Sequence, residues 1–459
     1  MTGGASSPDG RTIAVQATGS SAPAPGDIVL LSSDDTTYLG QVLERPATGS
    51  DGVERSAGLL IGAMRPDGTV DRSARAPFAD ASVRPATADT LEALQAAVGA
   101  TLPIGTWSPS GVTVPARLRA QGFGRHTFLC GQSGSGKTYA LGVLLEQLLL
   151  GTDLRMVVLD PNADYVRLGT PRPDAPADLA ERLSATDVRV LGADGTGDEP
   201  LRMRFVTMPV AARASLLRLD PLVDRNEYNH FLHISGEEGG AKDVHSLVDS
   251  LREQGGDGQA LAQRIENLGL PEWEVWAGEL RSAAEVVESG PRMTVLDLSG
   301  FRDPHEPIAV ALDLVERLWQ QRETRTPTLL VIDEAHNICP AAPAGPAQAA
   351  LVDRLVQIAA EGRKYGLWLL LSTQRPSKIH PQVLSQCDNL LLMRMNSPGD
   401  LAELADVFGF APPAMLRSSP FFVQGEVLAA GTFVPAPAVL RMGARLTPEG
   451  GSDVAVPVP

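Results

Sequence analysis

An octapeptide in the first half of the chain restricts the fold more than any other feature of the sequence. Residues 131–138 read Gly-Gln-Ser-Gly-Ser-Gly-Lys-Thr, which fits the pattern G-x-x-x-x-G-K-[ST]. An apolar run that ends at Cys130 precedes the octapeptide, and a helical pattern over 137–150 follows it. A glycine-rich turn between a strand and a helix directs backbone N–H groups and the helix N-terminus toward bound phosphate. The sequence therefore predicts a phosphate-binding loop in an α/β fold.

The residue types in this loop indicate ATP with Mg²⁺ as the ligand. The ammonium group of Lys137 is expected on the β- and γ-phosphates, and the Thr138 hydroxyl is expected to bind Mg²⁺. Residues expected to contact the nucleotide are Gly131, Ser133, Gly134, Ser135, Gly136, Lys137 and Thr138.

A second motif supplies acidic residues at the end of a predicted strand. Residues 329–334 read Leu-Leu-Val-Ile-Asp-Glu. A carboxylate at this position can hold Mg²⁺ through water, which is the role predicted for Asp333. Glu334 is then the predicted general base that polarises the attacking water. Many strands end in acidic turns, so this motif alone is weak evidence for a metal site. The phosphate-binding loop elsewhere in the chain is what makes that interpretation specific.

A third apolar strand, over 367–372, is followed by Thr-Gln-Arg-Pro. If this strand lies between the strands of the first two motifs, Gln374 would lie near the γ-phosphate and its amide could orient the water. The alternative is a glutamine exposed in an ordinary turn between strand and helix.

Strand and helix patterns alternate after residue 120, which is typical of a parallel sheet covered by helices on both faces. Short β-type runs separated by turn residues come earlier, and the region 211–286 has helical patterns without a convincing strand. The expected organisation is a flexible tail (1–26), a small β-barrel-like domain (27–90), a linker (91–120), the first part of the core (121–210), a helical insertion (211–286), the second part of the core (287–419), a C-terminal β extension (420–446) and a flexible tail (447–459).

Composition excludes several classes of protein. A net charge of −16 argues against a broad basic surface that coats nucleic acid, although it permits a narrow basic channel. Three cysteines are too few for a disulfide framework, which indicates a reducing, cytoplasmic location. The first residues lack the pattern of a signal peptide, and no apolar run reaches the length of a membrane span, so no membrane partner is expected.

Several segments resemble the HerA group of the FtsK/HerA superfamily of P-loop ATPases. They are RH at 125–126, VLDPNADY at 158–165, IDEAHN at 332–337, EGRKYG at 361–366, STQRPSK at 372–378, QVLSQCDN at 382–389 and Arg394. The resemblance implies a RecA-like ATPase core with an N-terminal β-barrel and an inserted helical region. It also implies a homo-oligomer, a hexameric ring that threads double-stranded DNA, commonly with a nuclease partner in end processing or antiphage defence.

The resemblance also implies roles for three further residues. Arg125 and Arg363 become candidate arginine fingers that reach an ATP on a neighbouring subunit, and Asp160 becomes an acid that orients water or metal. The stretch around Asp160 departs from the family, because Asn162 stands where a histidine is usual and Ala163-Asp164 replaces Gly-Glu.

The sequence and the resemblance together favour an ATP-hydrolysing motor that translocates along double-stranded DNA. Two alternatives stay open, an ATPase platform that gates a partner effector and a protein-translocation or coupling ATPase of the same superfamily. Stimulation of the ATPase by linear duplex DNA separates the first from the others.

Overall fold

The computed structural model describes residues 3–18, 22–45, 53–193, 197–236 and 244–450. The chain divides into two units. The first unit contains residues up to Thr152 together with Gln374–Ser377 and Cys387–Arg445, and the second contains Asp153–Thr373, Lys378–Gln386 and the residues from Leu446 onward.

The strands of the described residues fall into a barrel and two sheet portions. In chain order they are β1 (Gly3–Ser7), β2 (Thr12–Thr18), β3 (Ile28–Ser33), β4 (Thr36–Glu44), β5 (Val53–Met64), β6 (Val70–Asp71), β7 (Phe78–Pro85), β8 (Leu102–Trp107), β9 (Val114–Leu118), β10 (His126–Cys130), β11 (Arg155–Asp160), β12 (Val188–Gly192), β13 (Glu199–Pro200), β14 (Met293–Asp297), β15 (Thr328–Ile332), β16 (Leu367–Thr373), β17 (Cys387–Leu392), β18 (Glu426–Gly431) and β19 (Ala438–Met442).

The α-helices of the described residues are α1 (Ala88–Ala96), α2 (Lys137–Gly151), α3 (Ala177–Ser184), α4 (Val210–Leu216), α5 (Arg225–Gly236), α6 (Val244–Gln254), α7 (Gly256–Asn267), α8 (Ala283–Glu288), α9 (Glu306–Gln320), α10 (Pro346–Glu361), α11 (Pro381–Leu384), α12 (Pro398–Val407) and α13 (Pro413–Arg417). Within the described residues, no helix combines the length and the apolar composition that a bilayer crossing requires.

The first unit begins with a closed antiparallel barrel of six strands. Its order is β2-β1-β7-β3-β4-β5, the pairing of β2 with β5 closes it, and β6 extends β5. Its core contains Ile13, Val15, Leu31 and Val42, all of which are buried. Closure gives every barrel strand two hydrogen-bonded neighbours, so none of the six has a free edge.

The other sheet portion of the first unit carries the octapeptide motif. The strand order is β10-β17-β18-β19-β8-β9, in which β10 and β17 are parallel and the remaining pairs are antiparallel. Every residue of β10 is buried, and α2 follows it after a six-residue loop. The strand–loop–helix order that the motif requires is therefore present.

The second unit contains a parallel sheet of six strands in the order β13-β12-β14-β11-β15-β16. The five-residue strands β14 and β15 are buried along their whole length, as expected for strands covered on both faces. Helices α4–α8 form the region between β13 and β14, and α6 packs against α7, with Leu251 of α6 and Ile265 of α7 both buried.

The predicted α/β fold class with a small N-terminal β-barrel is confirmed, but the expected tail over 1–26 is wrong. Strands β1 and β2 lie within it and form part of the barrel, where Ile13 and Val15 are buried. The Gly, Ala and Ser content of this segment suggested a tail because it offers few apolar side chains. Backbone pairing with β5 and β7 holds these strands instead.

The expected linker over 91–120 is also wrong, because β8 and β9 form a hairpin in the sheet of the first unit. Alternate residues of both strands, such as Ile104 and Ala116, are buried, and the Pro and Gly residues between them obscure this alternation. At the C-terminal end the predicted tail starts too early, because Thr447 is buried and the Gly450 N–H donates to the Asp164 carbonyl at 3.1 Å. Residues 451–459 lie outside the described residues.

Candidate functional site

The octapeptide forms a loop of the first unit whose backbone requires glycine at two positions. Gly134 and Gly136 have φ angles of +72° and +91°, in the left-handed region that residues with a side chain rarely adopt. Gly136 is the N-cap of α2, so the helix starts with Lys137 and its N-terminus faces the loop. This arrangement places the positive end of the helix dipole where phosphate is expected to bind.

The interior of the loop is a close-fitting cradle. A Cβ atom added at Gly131 would lie 2.8 Å from both Met393 Cβ and Ser135 Oγ, so only glycine fits there. Ser135 is buried, and its Oγ has no hydrogen-bond partner among the described residues. A buried hydroxyl without a partner is costly, and a phosphate oxygen would supply the missing acceptor. The loop residues therefore fit a phosphate ligand.

Hydrogen bonds to the segment after β17 hold the loop in this shape. The Gln132 N–H donates to the Arg394 carbonyl at 2.9 Å, and the Arg394 guanidinium donates to the Gly134 carbonyl at 3.1 Å. The Asn396 N–H donates to the Gln132 side-chain oxygen at 3.2 Å. Arg394 therefore positions the loop. In the sequence, Arg394 is noted only among the residues that carry the resemblance.

Three side chains of the loop differ in accessibility. Lys137 is buried, Thr138 is half-buried and Ser133 is exposed. Arg125, immediately before β10, makes an ion pair with Asp388 at 3.3 Å in which both side chains are about half exposed. Exposed ion pairs of this kind contribute little to stability.

The acidic residues of the second unit are buried at the carboxyl ends of neighbouring parallel strands. Asp333 follows β15, is fully buried, and accepts hydrogen bonds from the Ser372 hydroxyl at 2.6 Å and the Tyr165 hydroxyl at 3.3 Å. A donor in β16 and a donor in the turn after β11 therefore fix this carboxylate. Carboxylate oxygens are among the ligands that a hard cation such as Mg²⁺ prefers.

Asp160 ends β11 and is fully buried. Its carboxylate accepts hydrogen bonds from the backbone N–H groups of Asp164 at 3.0 Å and Tyr165 at 2.8 Å. Burial raises the pKa of Asp160 to about 7, although these two N–H groups oppose the rise. The carboxyl group organises the turn that brings Tyr165 to Asp333, so the structure gives Asp160 a positioning contact, while its predicted action on water or metal stays a prediction.

Glu334 occupies an unusual backbone conformation. Its φ of +43° lies in the left-handed region, and its side chain is buried, 3.2 Å from Nδ1 of His336. The same Nδ1 lies 3.1 Å from the Thr373 hydroxyl at the end of β16. Strained backbone of this kind clusters at functional sites, where surrounding contacts maintain it.

The remaining predicted residues lie on the surface of their units. Arg363 is exposed in the short 3₁₀ turn Gly362–Tyr365 and makes no ion pair with any residue that the structure describes. Gln374 is exposed directly after β16. Their predicted roles toward the γ-phosphate or a neighbouring subunit stay predictions.

Sequence reasoning missed the hydroxyl groups that position Asp333. Tyr165 and Ser372 lie 168 and 39 residues from Asp333 along the chain. Both occur within segments that carry the resemblance, but no local pattern assigned them a function. The parallel order β11-β15-β16 brings the three strand ends together.

Among the described residues, no group of three or more His, Cys, Asp and Glu side chains could hold a metal ion by itself. Mg²⁺ bound with a nucleotide takes most of its oxygen ligands from phosphate and water, with one or two from protein. Within the second unit, a single fixed carboxylate such as Asp333 fits the protein's share of that requirement.

A strand–loop–helix with a phosphate cradle, and a parallel sheet whose strand ends carry a fixed aspartate and an adjacent glutamate, define a P-loop ATPase. The family model described as "Helicase HerA, central domain" matches residues 102–318, and the model of the ATPase family associated with various cellular activities matches residues 280–395. These matches confirm the resemblance to HerA-type ATPases that the sequence segments indicated.

Individual relatives extend this result. A probable helicase of Methanocaldococcus jannaschii is 28% identical over 178 residues, which are 35% of this chain and 32% of the relative. The DNA double-strand break repair helicase HerA of Sulfurisphaera tokodaii is 23% identical over 404 residues, 84% of this chain and 78% of the relative. The solved structure of VirB4 from Thermoanaerobacter pseudethanolicus is similar in fold, with a TM-score of 0.52 at 16% identity over 75% of this chain and 97% of that one. The chain matches only 25–32% of the length of three Methanocaldococcus jannaschii helicases.

Proposed function

We propose that this chain hydrolyses ATP with Mg²⁺ and uses the reaction to move along double-stranded DNA. The loop over 131–138 binds the phosphates, Lys137 neutralises the β- and γ-phosphates, and Thr138 and Asp333 hold the metal ion. Mg²⁺ supplies positive charge that stabilises the phosphate oxygens. Glu334 accepts a proton from the attacking water, and Gln374 orients that water.

The observation that best supports this proposal is the phosphate cradle. It combines two left-handed glycines, a buried Ser135 hydroxyl without a described partner, and a helix that starts at Lys137. The buried Asp333 with its two hydroxyl donors supports the metal-binding part.

Replacement of Glu334 by glutamine tests the proposed base. The Glu334→Gln variant keeps the size of the side chain, so we expect normal ATP binding with turnover reduced about 100-fold or more. Glu323→Gln, at an exposed glutamate of the second unit, is the matched control and should retain turnover. Wild-type turnover by Glu334→Gln would contradict the assignment of Glu334 as the base. The Lys137→Ala variant should instead bind nucleotide more weakly, because the ammonium group that contacts the phosphates is lost.

The DNA part of the proposal follows from the family, since the Sulfurisphaera tokodaii relative is described as a DNA double-strand break repair helicase. We expect linear duplex DNA of arbitrary sequence to raise the ATPase rate of the wild-type chain. No stimulation by DNA would favour the alternatives, a platform that gates a partner effector or a coupling ATPase. As part of the same proposal, the chain acts on DNA in the cytoplasm together with a nuclease partner, in end processing or antiphage defence.

We further propose a closed ring, by family precedent a hexamer, in which an arginine completes the active site of a neighbouring subunit. Arg363 is exposed and makes no ion pair with any described residue, whereas Arg125 already pairs with Asp388. These contacts favour Arg363 as the finger over Arg125. Heterologous contacts that close generate such rings.

Mixing inactive variants tests the finger. Lys137→Ala subunits retain Arg363, and Arg363→Ala subunits retain their own phosphate loop. Mixed rings should recover part of the activity, because some interfaces then pair an intact loop with an intact arginine. The matched control mixes two preparations of Lys137→Ala subunits, and this mixture should recover no ATPase activity. Mixed rings that stay inactive would argue against Arg363.

A further inference from the structure

Three arginines line half of an open groove of about 420 Å³ on the barrel of the first unit. Arg11 comes from the turn between β1 and β2, and Arg72 and Arg75 come from the segment between β6 and β7. Three other residues complete the lining: Asp9, Gly10 and Ser73. The motifs that define the ATPase do not include any of these residues.

The arginines of this groove make no ion pairs within the described part of the chain. Arg11, Arg72 and Arg75 make no side-chain hydrogen bond or ion pair with any residue in the described part of the chain. Burial lowers the pKa of Arg72, and the nearby guanidinium groups of Arg75 and Arg119 add to the effect. Neighbouring positive charges repel one another, so an anion bound among these guanidinium groups would offset their mutual repulsion.

The nearby acids are engaged elsewhere. Asp9 accepts hydrogen bonds from the backbone N–H groups of Arg11 at 2.8 Å and Thr12 at 2.7 Å, which fix its turn. Asp71 accepts from Arg65 at 2.7 Å and from the Ser73 hydroxyl at 2.6 Å. Three guanidinium groups against the single Asp9 carboxylate leave the groove lining locally positive, in a chain whose net charge is −16.

We propose that this groove, which we call the arginine groove (Arg11, Arg72 and Arg75), binds phosphate groups of the DNA backbone. The proposal rests on the function proposed above and names where the barrel contacts the duplex. The planar guanidinium group binds phosphate oxygens through two parallel hydrogen bonds. Phosphates repeat along a strand, so one duplex can engage several arginines while the acidic remainder of the chain repels it. Contacts of this kind do not read base sequence.

Neutral substitutions in the groove provide the test. Arg11 and Arg75 are exposed, so the double variant Arg11→Gln/Arg75→Gln should fold normally. The probe is a fluorescent linear duplex of arbitrary sequence, whose binding is followed by anisotropy at several salt concentrations with a non-hydrolysable ATP analogue present. Losing two phosphate contacts in each subunit that touches the duplex should reduce the slope of log affinity against log salt by about two for each such subunit. Binding of the ATP analogue should not change.

Two further variants make this test specific. Arg84→Gln is the matched control, because Arg84 is an exposed arginine of β7 that donates to the Ser32 hydroxyl at 3.3 Å and does not line the groove. It should keep the wild-type slope. Arg11→Lys/Arg75→Lys retains the charges, so it should keep most of the slope while losing the paired hydrogen bonds.

The outcomes separate this inference from the proposed function. If wild type binds duplex DNA and the double glutamine variant keeps its salt slope, the arginine groove is not the contact and the proposed function stands. If wild type does not bind or respond to duplex DNA, the DNA part of the proposed function fails, and this inference fails with it. If the double variant changes self-association in sedimentation while its DNA binding is unchanged, the groove binds acidic groups of a second copy, which overturns the proposal.

Discussion

The phosphate loop of the first unit and the acidic strand ends of the second unit achieve their geometry by different means. In the loop, backbone conformation determines the geometry. Gly134 and Gly136 adopt left-handed angles, and the neighbours of Gly131 leave no room for a Cβ atom at that position. Around Asp333, side chains are decisive, since hydroxyl groups from two other strand ends fix the carboxylate. Local conformation specifies the loop, and tertiary packing specifies the acidic group.

This difference determines how each region responds to substitution. A glycine with positive φ cannot be replaced without strain, because any side chain meets its own backbone. A hydroxyl donor to a carboxylate can be removed with little change of shape, and the loss then concerns the charge and the orientation of the acid. We therefore expect larger effects from substitutions in the loop than around Asp333.

Among the substitutions that compare how these two regions are positioned, the largest effect is expected from Gly136→Ala. A left-handed alanine costs about 1–2 kcal/mol, and relief of that strain would move the first backbone N–H groups of α2 away from the phosphates. Nucleotide affinity should fall about tenfold or more, as measured with a fluorescent ATP analogue. Gly68→Ala is the matched control, because Gly68 has a φ of +83° in open space. It should lose similar stability without loss of affinity, and equal affinity losses would mean that strain alone explains the result.

Removal of a hydroxyl donor to Asp333 should have an intermediate effect. Ser372→Ala deletes the 2.6 Å hydrogen bond, whose loss at about 1 kcal/mol should raise the Mg²⁺ required for half-maximal ATPase activity about fivefold. Tyr165→Phe deletes a longer bond of 3.3 Å and should shift the requirement less. Ser385→Ala, which removes an exposed hydroxyl of the same unit, should leave the Mg²⁺ requirement unchanged. An unchanged requirement in Ser372→Ala would show that packing alone fixes Asp333.

The smallest effect on ATP binding and turnover concerns a buried carboxyl group on α9 that the proposed chemistry does not use. Burial raises the pKa of Asp313 from its ordinary value of 3.8 to about 7, and Arg317 only partly opposes the rise. The folded chain then holds a proton that the unfolded chain releases, so this contribution to stability is present below about pH 4 and is lost as the pH rises toward 7.

Urea unfolding at several pH values measures this contribution. Wild type should lose at most about 1.4 kcal/mol per pH unit from Asp313 across that range, and Asp313→Asn should flatten the dependence. Asp353→Asn, at an exposed position of α10, should preserve the wild-type slope. An equal slope in Asp313→Asn would show that Asp313 ionises in the folded chain much as in the unfolded one. ATP binding should be unaffected in either variant.

The barrel provides a second contrast, between composition and pairing. Sequence analysis predicted its later strands from their apolar runs, but it treated the segment containing β1 and β2 as a tail. The alternation of Ile13 and Val15 was present in the sequence, yet the surrounding small residues outweighed it. The arginine groove shows the same contrast. Its three arginines are spread over 65 positions and form no basic run in the sequence, and only the closure of the barrel brings them to one groove.

By itself the sequence determined the phosphate loop, the Asp333-Glu334 pair and the alternation of strands with helices, because each depends on residues that are neighbours along the chain. Tertiary structure decided which hydroxyl groups hold Asp333, that Glu334 lies beside His336 with a left-handed backbone, and that the first residues complete a barrel. The physical reason is the range of the interactions. Backbone strain and helix capping act within a few residues, whereas strand pairing and hydrogen bonds between strand ends join residues far apart, and no local pattern records them.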